Sequence, residues 1–388
     1  MKLALMALLA PLLCVAGAPW DLQALSQPPK VYEAHTDEPG VRALYFESVP
    51  WKGKPTRVFA FYGAPTGKKA PAMVLIHGGG GTAFAEWVRM WNRRGYAAIA
   101  MDTVGTAPEK AEAEKLWSPP RTRHEFAGPA GWGDFTNVDS PREDQWSYHA
   151  VAAAILAHSL IRSFPEVDAQ RTGVTGISWG GYLTGIVSGI DSRFRFAAPV
   201  YGCGFLGEDS AWLKDFEKLG EERAKKWLSL WDPSVYLGES RMPMLWVTGT
   251  NDFAYPFSSL QKSYRLPRGD RTLSIRVRMK HSHPDGAMPE EIFAYADSMF
   301  RKTAPLPKII AASAKAVEYE STSRIVKAEL NYSLDRGRWQ DRKWETLPAD
   351  LDLQNRKAVA QVPPEATAWY INLFDERGLA ISSEHRAR

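Results

Sequence analysis

Gly176-Ile177-Ser178-Trp179-Gly180-Gly181 is the stretch on which the reading of this chain turns. Arg171 to Thr175, just before it, is β-prone, and Tyr182 to Val187, just after it, can run as a helix. A G-x-S-x-G between a strand and a helix is the pattern of a nucleophile elbow. The serine must stand on a very tight turn so that its hydroxyl clears the backbone. Strand and helix then pass close together, so the flanking residues must be small. Gly176 and Gly180 meet that need, and Gly181 adds room. The motif alone also fits a strand-to-helix turn with an incidental serine, so the flanks must decide.

Outward from the motif, strand and helix patterns alternate. Ala72 to Ile76 is a continuously apolar run, as central parallel strands are, and it empties into His77-Gly78-Gly79-Gly80-Gly81. Ala83 to Arg94 has Phe84, Trp87, Val88 and Trp91 at helical spacing. Ala97 to Met101 is a second buried strand, closed by Asp102. Pro141 to Phe164 reads as a long helix, Phe194 to Tyr201 and Pro243 to Val247 as strands, Leu273 to Met279 as the last core strand, and Pro289 to Lys302 as a helix. This alternation predicts an α/β domain with a mostly parallel sheet covered by helices on both faces. Two segments interrupt it: 103–140, without periodicity but rich in aromatics, and a helical insertion at 203–240. Both are expected to lie over the site. Residues 19–40 look like an extended lead-in, followed by strands at Arg42 to Val49 and Arg57 to Tyr62 joined by a turn around Lys52-Gly53-Lys54-Pro55. The catalytic domain is thus placed at 19–305. Residues 306–388 are strand-rich and read as a small β-sandwich-like domain.

Composition narrows the function. The 388 residues carry a net charge of +4, with both signs interspersed and no Lys/Arg block, so no nucleic-acid footprint appears. Residues 1–18 have the pattern of a secretory signal: Lys2, an apolar run to Val15, and a small-residue site at Ala16-Gly17-Ala18. The run is too short to span a membrane comfortably. A secreted or periplasmic protein with no membrane attachment after cleavage is expected. Removing Cys14 would leave Cys203 alone, so no intramolecular disulfide is expected.

A serine nucleophile needs a base and an orienting carboxylate, which in this architecture follow in the order Ser, Asp/Glu, His. Each should emerge at the C-terminal end of a core strand. Asp252 does so in Gly249-Thr250-Asn251-Asp252, and the pair Lys280-His281-Ser282-His283-Pro284 follows the last core strand. A turn-capping role is the bland reading of Asp252. Of the histidines, His283 follows a small residue that lets the loop bend inward and is preferred as base; His281 is the second choice. The other imidazole is then a hydrogen-bond partner or substrate contact. A metal pair is not favoured, because no Cys or carboxylate cluster has ligand spacing, and no cofactor is expected. The oxyanion requires preorganised N–H donors. Trp179 supplies one as the residue after the nucleophile, and the glycine loop supplies the other from Gly79, or Gly80 as second choice. His77 reads as a loop-fixing residue, His149 and His158 as packing or surface residues. Trp132, Trp212, Phe253 and Tyr255 are candidate substrate contacts through ring stacking, with core packing the alternative at each.

Taken together, His77 to Trp87 (HGGGGTAFAEW), Asp144 to Ser178, Trp231-Asp232-Pro233, Gly249 to Pro256 and Pro289 to Asp297 resemble the secreted bacterial α/β-hydrolases of the dienelactone hydrolase and acetylxylan esterase group, also described as prolyl-oligopeptidase-like. The resemblance runs from Ala72 to Lys302. It implies the α/β-hydrolase fold, a Ser-Asp-His hydrolase without cofactor, and carboxylic ester hydrolysis of the kind that deacetylates plant or algal polysaccharide. Dienelactone hydrolases proper use a cysteine where this chain has Ser178. The alternatives are a serine peptidase of the same fold and a noncatalytic carbohydrate-binding protein, since one fold serves several functions. Oligomeric state is open.

Overall fold

The computed structural model describes residues 18–388. The leader expected over residues 1–18, Cys14 included, lies outside them but for Ala18. Nine strands form the central sheet: β1 (Val31–Ala34), β2 (Arg42–Trp51), β3 (Lys54–Gly63), β4 (Ala70–Ile76), β5 (Ala97–Met101), β6 (Val167–Ile177), β7 (Phe196–Val200), β8 (Met244–Gly249) and β9 (Arg271–Arg276). Their order is β1-β2-β3-β5-β4-β6-β7-β8-β9. β1, β2 and β3 are antiparallel, β3 meets β5 antiparallel, and from β5 to β9 every pairing is parallel. This is the α/β-hydrolase arrangement. The β2–β3 turn uses Lys52 and Gly53, both at positive φ (52° and 73°), as hairpins with right-handed strand twist favour.

Every residue of β4, β5, β7 and β8 is buried, which explains their unbroken apolar character. Helices Ala85–Arg93, Trp146–Ser163, Trp179–Ile190 and Glu290–Arg301 cover the sheet. The chain runs from β4 to β5 on one side, then returns to β6 on the other side of β4. The C-terminal ends of β4 and β6 therefore flank the point where strand order reverses, and ligand sites of open α/β sheets lie there.

Several elements differ from the sequence reading. The lead-in contains β1, which pairs with β2. The 103–140 segment carries a small hairpin, Thr106–Pro108 with Arg121–Arg123. The last core strand stops at Arg276, and Arg278 at φ 54° breaks the extension. A short helix, His283–Ala287, follows, capped by the Ser282 hydroxyl accepting from the Asp285 N–H.

Beyond Lys302 the chain forms two antiparallel sheets. One contains Lys308–Ala312, Ala316–Glu320, Lys357–Val359 and Asp350–Asp352. The other contains Glu345–Pro348, Ile325–Ser333, Ala368–Asp375 and Ala380–Ser382, with Arg386–Ala387 beside Ala368–Asp375. This C-terminal region docks on edge strand β9. The Ile275 N–H donates to Ser382 Oγ (2.7 Å), the Asn372 amide donates to Ile275 O (3.1 Å), and Ser382 donates to Asn372 Oδ1 (2.6 Å). All three residues are buried. Among the described residues no helix is long and apolar enough to cross a membrane.

Candidate active site

Ser178 lies between β6 and helix Trp179–Ile190, at φ 59° and ψ −118°. A non-glycine residue in such a region costs on the order of 1–3 kcal/mol and persists only where its surroundings fix it. Its N–H donates to Val200 O (2.9 Å), and its own carbonyl accepts the first helical bond from Tyr182 N (2.9 Å). The expected crowding is present. A Cβ on Gly180 would lie 1.9 Å from Ile76 O, and one on Gly176 2.2 Å from Gly180 O. Backbone cannot yield at such distances, so both positions require glycine.

Asp252 follows β8 and uses its two oxygens differently. Oδ1 accepts from the Ala254 and Tyr255 N–H groups (2.9 and 2.8 Å). Oδ2 lies 2.6 Å from His281 Nδ1. The turn-capping reading and the site reading of Asp252 therefore both describe it, one on each oxygen. Its side chain is buried, while that of His281 keeps some exposure. Tyr201, at the end of β7, stacks on His281 at 4.4 Å between ring centroids and donates its hydroxyl to Lys280 O (2.6 Å). Nothing in the periodicity marked Tyr201; its place just past a core strand was the available signal.

This geometry corrects the preference for His283. His281, the second choice, is the imidazole on Asp252. Ser282 is extended (φ −150°, ψ 163°), so residues 281 and 283 project to the same side. The His283 ring is thereby carried past the carboxylate to the glycine loop, where Nε2 accepts from the Gly78 N–H at 3.0 Å. That nitrogen's lone pair is engaged, and among the described residues no carboxylate pairs with His283. Burial first, then the neighbouring His77 and His281, pushes its pKa down to about 3.

The glycine loop is gripped from three directions. His77 Nδ1 lies 2.8 Å from Gly78 O, and its Nε2 accepts from Thr103 N (2.9 Å), which fixes the ring as a Nδ1–H donor. Arg121, from the 103–140 segment, donates to Gly80 O. The Gly81 N–H closes a turn onto Gly78 O (3.1 Å). Gly79 packs beside Trp179, since a Cβ there would lie 3.1 Å from Trp179 Cδ1. The N–H of Trp179, at the first helical position, has no intrahelical acceptor. Gly79 thus lies against the Trp179 side chain, while Gly80 is exposed.

The two insertions meet over the elbow through aromatic rings. Trp227 donates to Gly133 O (3.0 Å), and Phe135 packs on Trp227 and Trp179. Trp212 lies 4.6 Å from Trp179 and 5.0 Å from Tyr255. Trp132 stands over Gly79 with part of its surface open and a buried Nε1 that has no partner among the described residues. Phe253 is 56% exposed and 4.7 Å from His281. Tyr255 does not offer its ring as a platform: it is fully enclosed. Burial raises its hydroxyl pKa well above the usual value, and the nearby Ser178 side chain opposes that rise. Among the described residues the hydroxyl has no hydrogen-bond partner.

The acid loop has a partner the sequence did not announce. The Asn251 amide donates to Gln340 O (3.0 Å) and Arg342 O (2.7 Å), with Trp339 O at 3.5 Å, and Gln340 reaches Phe253 O (3.4 Å). The C-terminal region is thus tied to the residue beside Asp252. Elsewhere, His158 is enclosed between Asp191 and Thr172 (2.8 Å each) and stacked on Phe194, and His149 lies 2.9 Å from Glu143 O. Burial lowers both pKa values to about 4. Among the described residues no group of three or more His, Cys, Asp or Glu is placed to hold a metal ion, and Cys203 is free and buried.

Two family descriptions match the sequence. "Acetyl xylan esterase (AXE1)" matches residues 22–210, and "Prolyl oligopeptidase family" matches residues 143–300. The second match contains Ser178, Asp252 and His281, and neither extends past residue 300. The fold is similar to the acetyl xylan esterase from Paenibacillus sp. R4, at 20% identity and TM-score 0.54, covering 71% of this chain and 92% of that one. It is also similar to acetyl xylan esterase 1 from Thermoanaerobacterium sp. JW/SL YS485, at 16% identity and TM-score 0.56, covering 73% and 95%.

Proposed function

We propose that this chain is a carboxylic ester hydrolase of the acetyl xylan esterase group, a reading supported by the match of residues 22–210 and by the shared fold, with the following mechanism and substrate class. Ser178 attacks the ester carbonyl while His281 takes its proton at Nε2. Asp252, bonded to Nδ1, holds the tautomer and stabilises the imidazolium. The Trp179 and Gly79 amides receive the oxyanion, with Gly80 as the alternative donor. The alcohol leaves with the proton from His281, and water releases the acyl group by the same route. The observation that carries this reading is the 2.6 Å His281–Asp252 contact past the C-terminal ends of β8 and β9, at the same end of the parallel sheet as a serine held at φ 59° after β6.

The proposed substrate is an acetyl ester on a poly- or oligosaccharide. Trp132, Trp212 and Phe253 supply ring faces or edges at the site mouth, and sugar rings stack on such surfaces. A secreted or periplasmic location, proposed from the pattern of residues 1–18, suits a polymeric substrate. Ser178→Ala should abolish p-nitrophenyl acetate hydrolysis, a loss on the order of 10⁶-fold in turnover. Activity near wild type in that variant would eliminate the mechanism. The match to the prolyl oligopeptidase description favours a second reading, a serine peptidase using the same residues. Fast cleavage of a prolyl amide with no release of acetate from acetylated xylan would establish it instead. A noncatalytic binding protein is separated from both by fluorophosphonate labelling, which requires an active serine.

A further inference from the structure

The two peptide groups that meet at Gly78 are each held by an imidazole: His283 Nε2 takes the Gly78 N–H at 3.0 Å, and His77 Nδ1 lies 2.8 Å from the Gly78 carbonyl, which shares its peptide with the Gly79 N–H. This unit immediately precedes Gly79, the proposed oxyanion donor. A Cβ placed on Gly78 would lie 2.8 Å from Ser178 Cβ and 3.3 Å from His283 Nε2, so the imidazole and the nucleophile both crowd the position a side chain would take there. A Cβ on Gly81 would meet His283 Nε2 at 2.7 Å and His77 Nδ1 at 2.9 Å. The loop therefore wraps the two rings with no room to spare. The His283 ring also rests on Phe84 (4.8 Å between centroids), which begins the helix after the loop.

We infer that His283 is a positioning residue for ester hydrolysis: by accepting the Gly78 N–H it holds the following peptide so that the Gly79 amide faces the oxyanion. The inference rests on the proposed serine mechanism. The acceptor is needed because four consecutive glycines have the largest conformational freedom a chain can offer. An oxyanion donor is effective only if its orientation is fixed before the reaction. A charged imidazolium carries an N–H at both nitrogens and could not accept. The enclosure that keeps His283 neutral, with its pKa near 3, keeps the acceptor in place at working pH.

Three substitutions test this, each checked for folding by thermal unfolding. His283→Phe keeps the ring against Phe84 and removes the acceptor. His283→Leu removes both. His283→Gln discards the ring and retains an acceptor of similar reach. The expected result on p-nitrophenyl acetate is a kcat lower by about 10-fold or more in the Phe and Leu variants, with KM within about twofold. A single lost oxyanion donor costs roughly 10²–10³-fold, which sets the upper limit. His283→Gln should recover most of kcat. Phe and Leu variants as active as wild type, or a Gln variant no better than a folded Phe variant, would overturn the role. If His283→Phe does not fold, the Leu and Gln pair decides alone. Ser178→Ala run in parallel separates the two ideas: activity surviving there removes the mechanism itself, whereas its loss beside an unaffected His283→Phe removes only this inference.

Discussion

The glycine loop at 77–81 and the acid loop at 249–256 occupy equivalent positions, each just past a core strand, yet they are secured in opposite ways. The glycine loop has no side chains of its own to anchor it beyond His77. Its fixation comes from neighbours inside the catalytic fold: His283, Arg121 and the ring of His77. The acid loop fixes itself through Asp252 Oδ1 on two of its own N–H groups, and it borrows its outer support from the C-terminal region through Asn251. A loop with no side chains must be held by what surrounds it; one with a carboxylate holds itself and needs outside help only at its rim.

Substitutions rank the two anchoring schemes. Asp252→Asn strikes both functions of one carboxylate and should lower kcat by roughly 10⁴-fold, as wrong-tautomer variants do; steady-state kinetics on p-nitrophenyl acetate checks it. A loss below tenfold would mean that His281 does not depend on this partner. Next comes Gly81→Ala. Its Cβ must displace one of the two imidazoles, and a small misplacement of catalytic groups can cost about 10²-fold. Turnover should fall by that order while fluorophosphonate labelling of Ser178 persists. Asn251→Ala should act more gently, because it loosens the rim of the acid loop and leaves Asp252 in place. A folding loss of about 1–3 kcal/mol is expected from unsatisfied carbonyls, seen as a lower Tm, with kcat reduced less than tenfold.

Acid acts on stability rather than on one loop, and of the groups it reaches His283 is the one at the glycine loop. His283, His149, His158 and His385 have folded-state pKa values near 3 to 4, below the usual 6.5, each chiefly through burial. Below pH 6.5 the unfolded chain binds protons that the folded chain refuses. Their contribution to stability is therefore complete above 6.5 and declines as pH falls toward 4, by up to about 1.4 kcal/mol per pH unit for each group. Tm should drop between pH 7 and pH 5. A flat profile would show that these rings are protonated without penalty.

What the sequence revealed followed from where information is local. The parallel strands were legible because burial on both faces leaves only apolar residues, as in Ala70–Ile76. Ser178 and Asp252 were legible because a tight elbow and a strand-end carboxylate each leave a local signature. The choice between His281 and His283 was not, because it depends on Ser282 being extended and on which residue the carboxylate reaches across the fold. Arg121 and Asn251 were invisible for the same reason: their partners lie 41 and about 90 positions away. Tyr255 was misjudged as a platform because ring chemistry does not disclose enclosure.

The Ser382–Asn372 pair that receives the backbone of Ile275 has a consequence for the life of the protein in solution. An outer strand with free N–H and C=O groups invites a foreign strand to continue the ladder, and such pairing begins fibres and precipitates. On β9, this side-chain pair occupies both groups of Ile275 from within the same chain. At the far side the outer strand is only the four residues of β1, and short outer strands also blunt such growth. The C-terminal region thereby acts as a built-in stopper against self-polymerisation at that edge of the sheet.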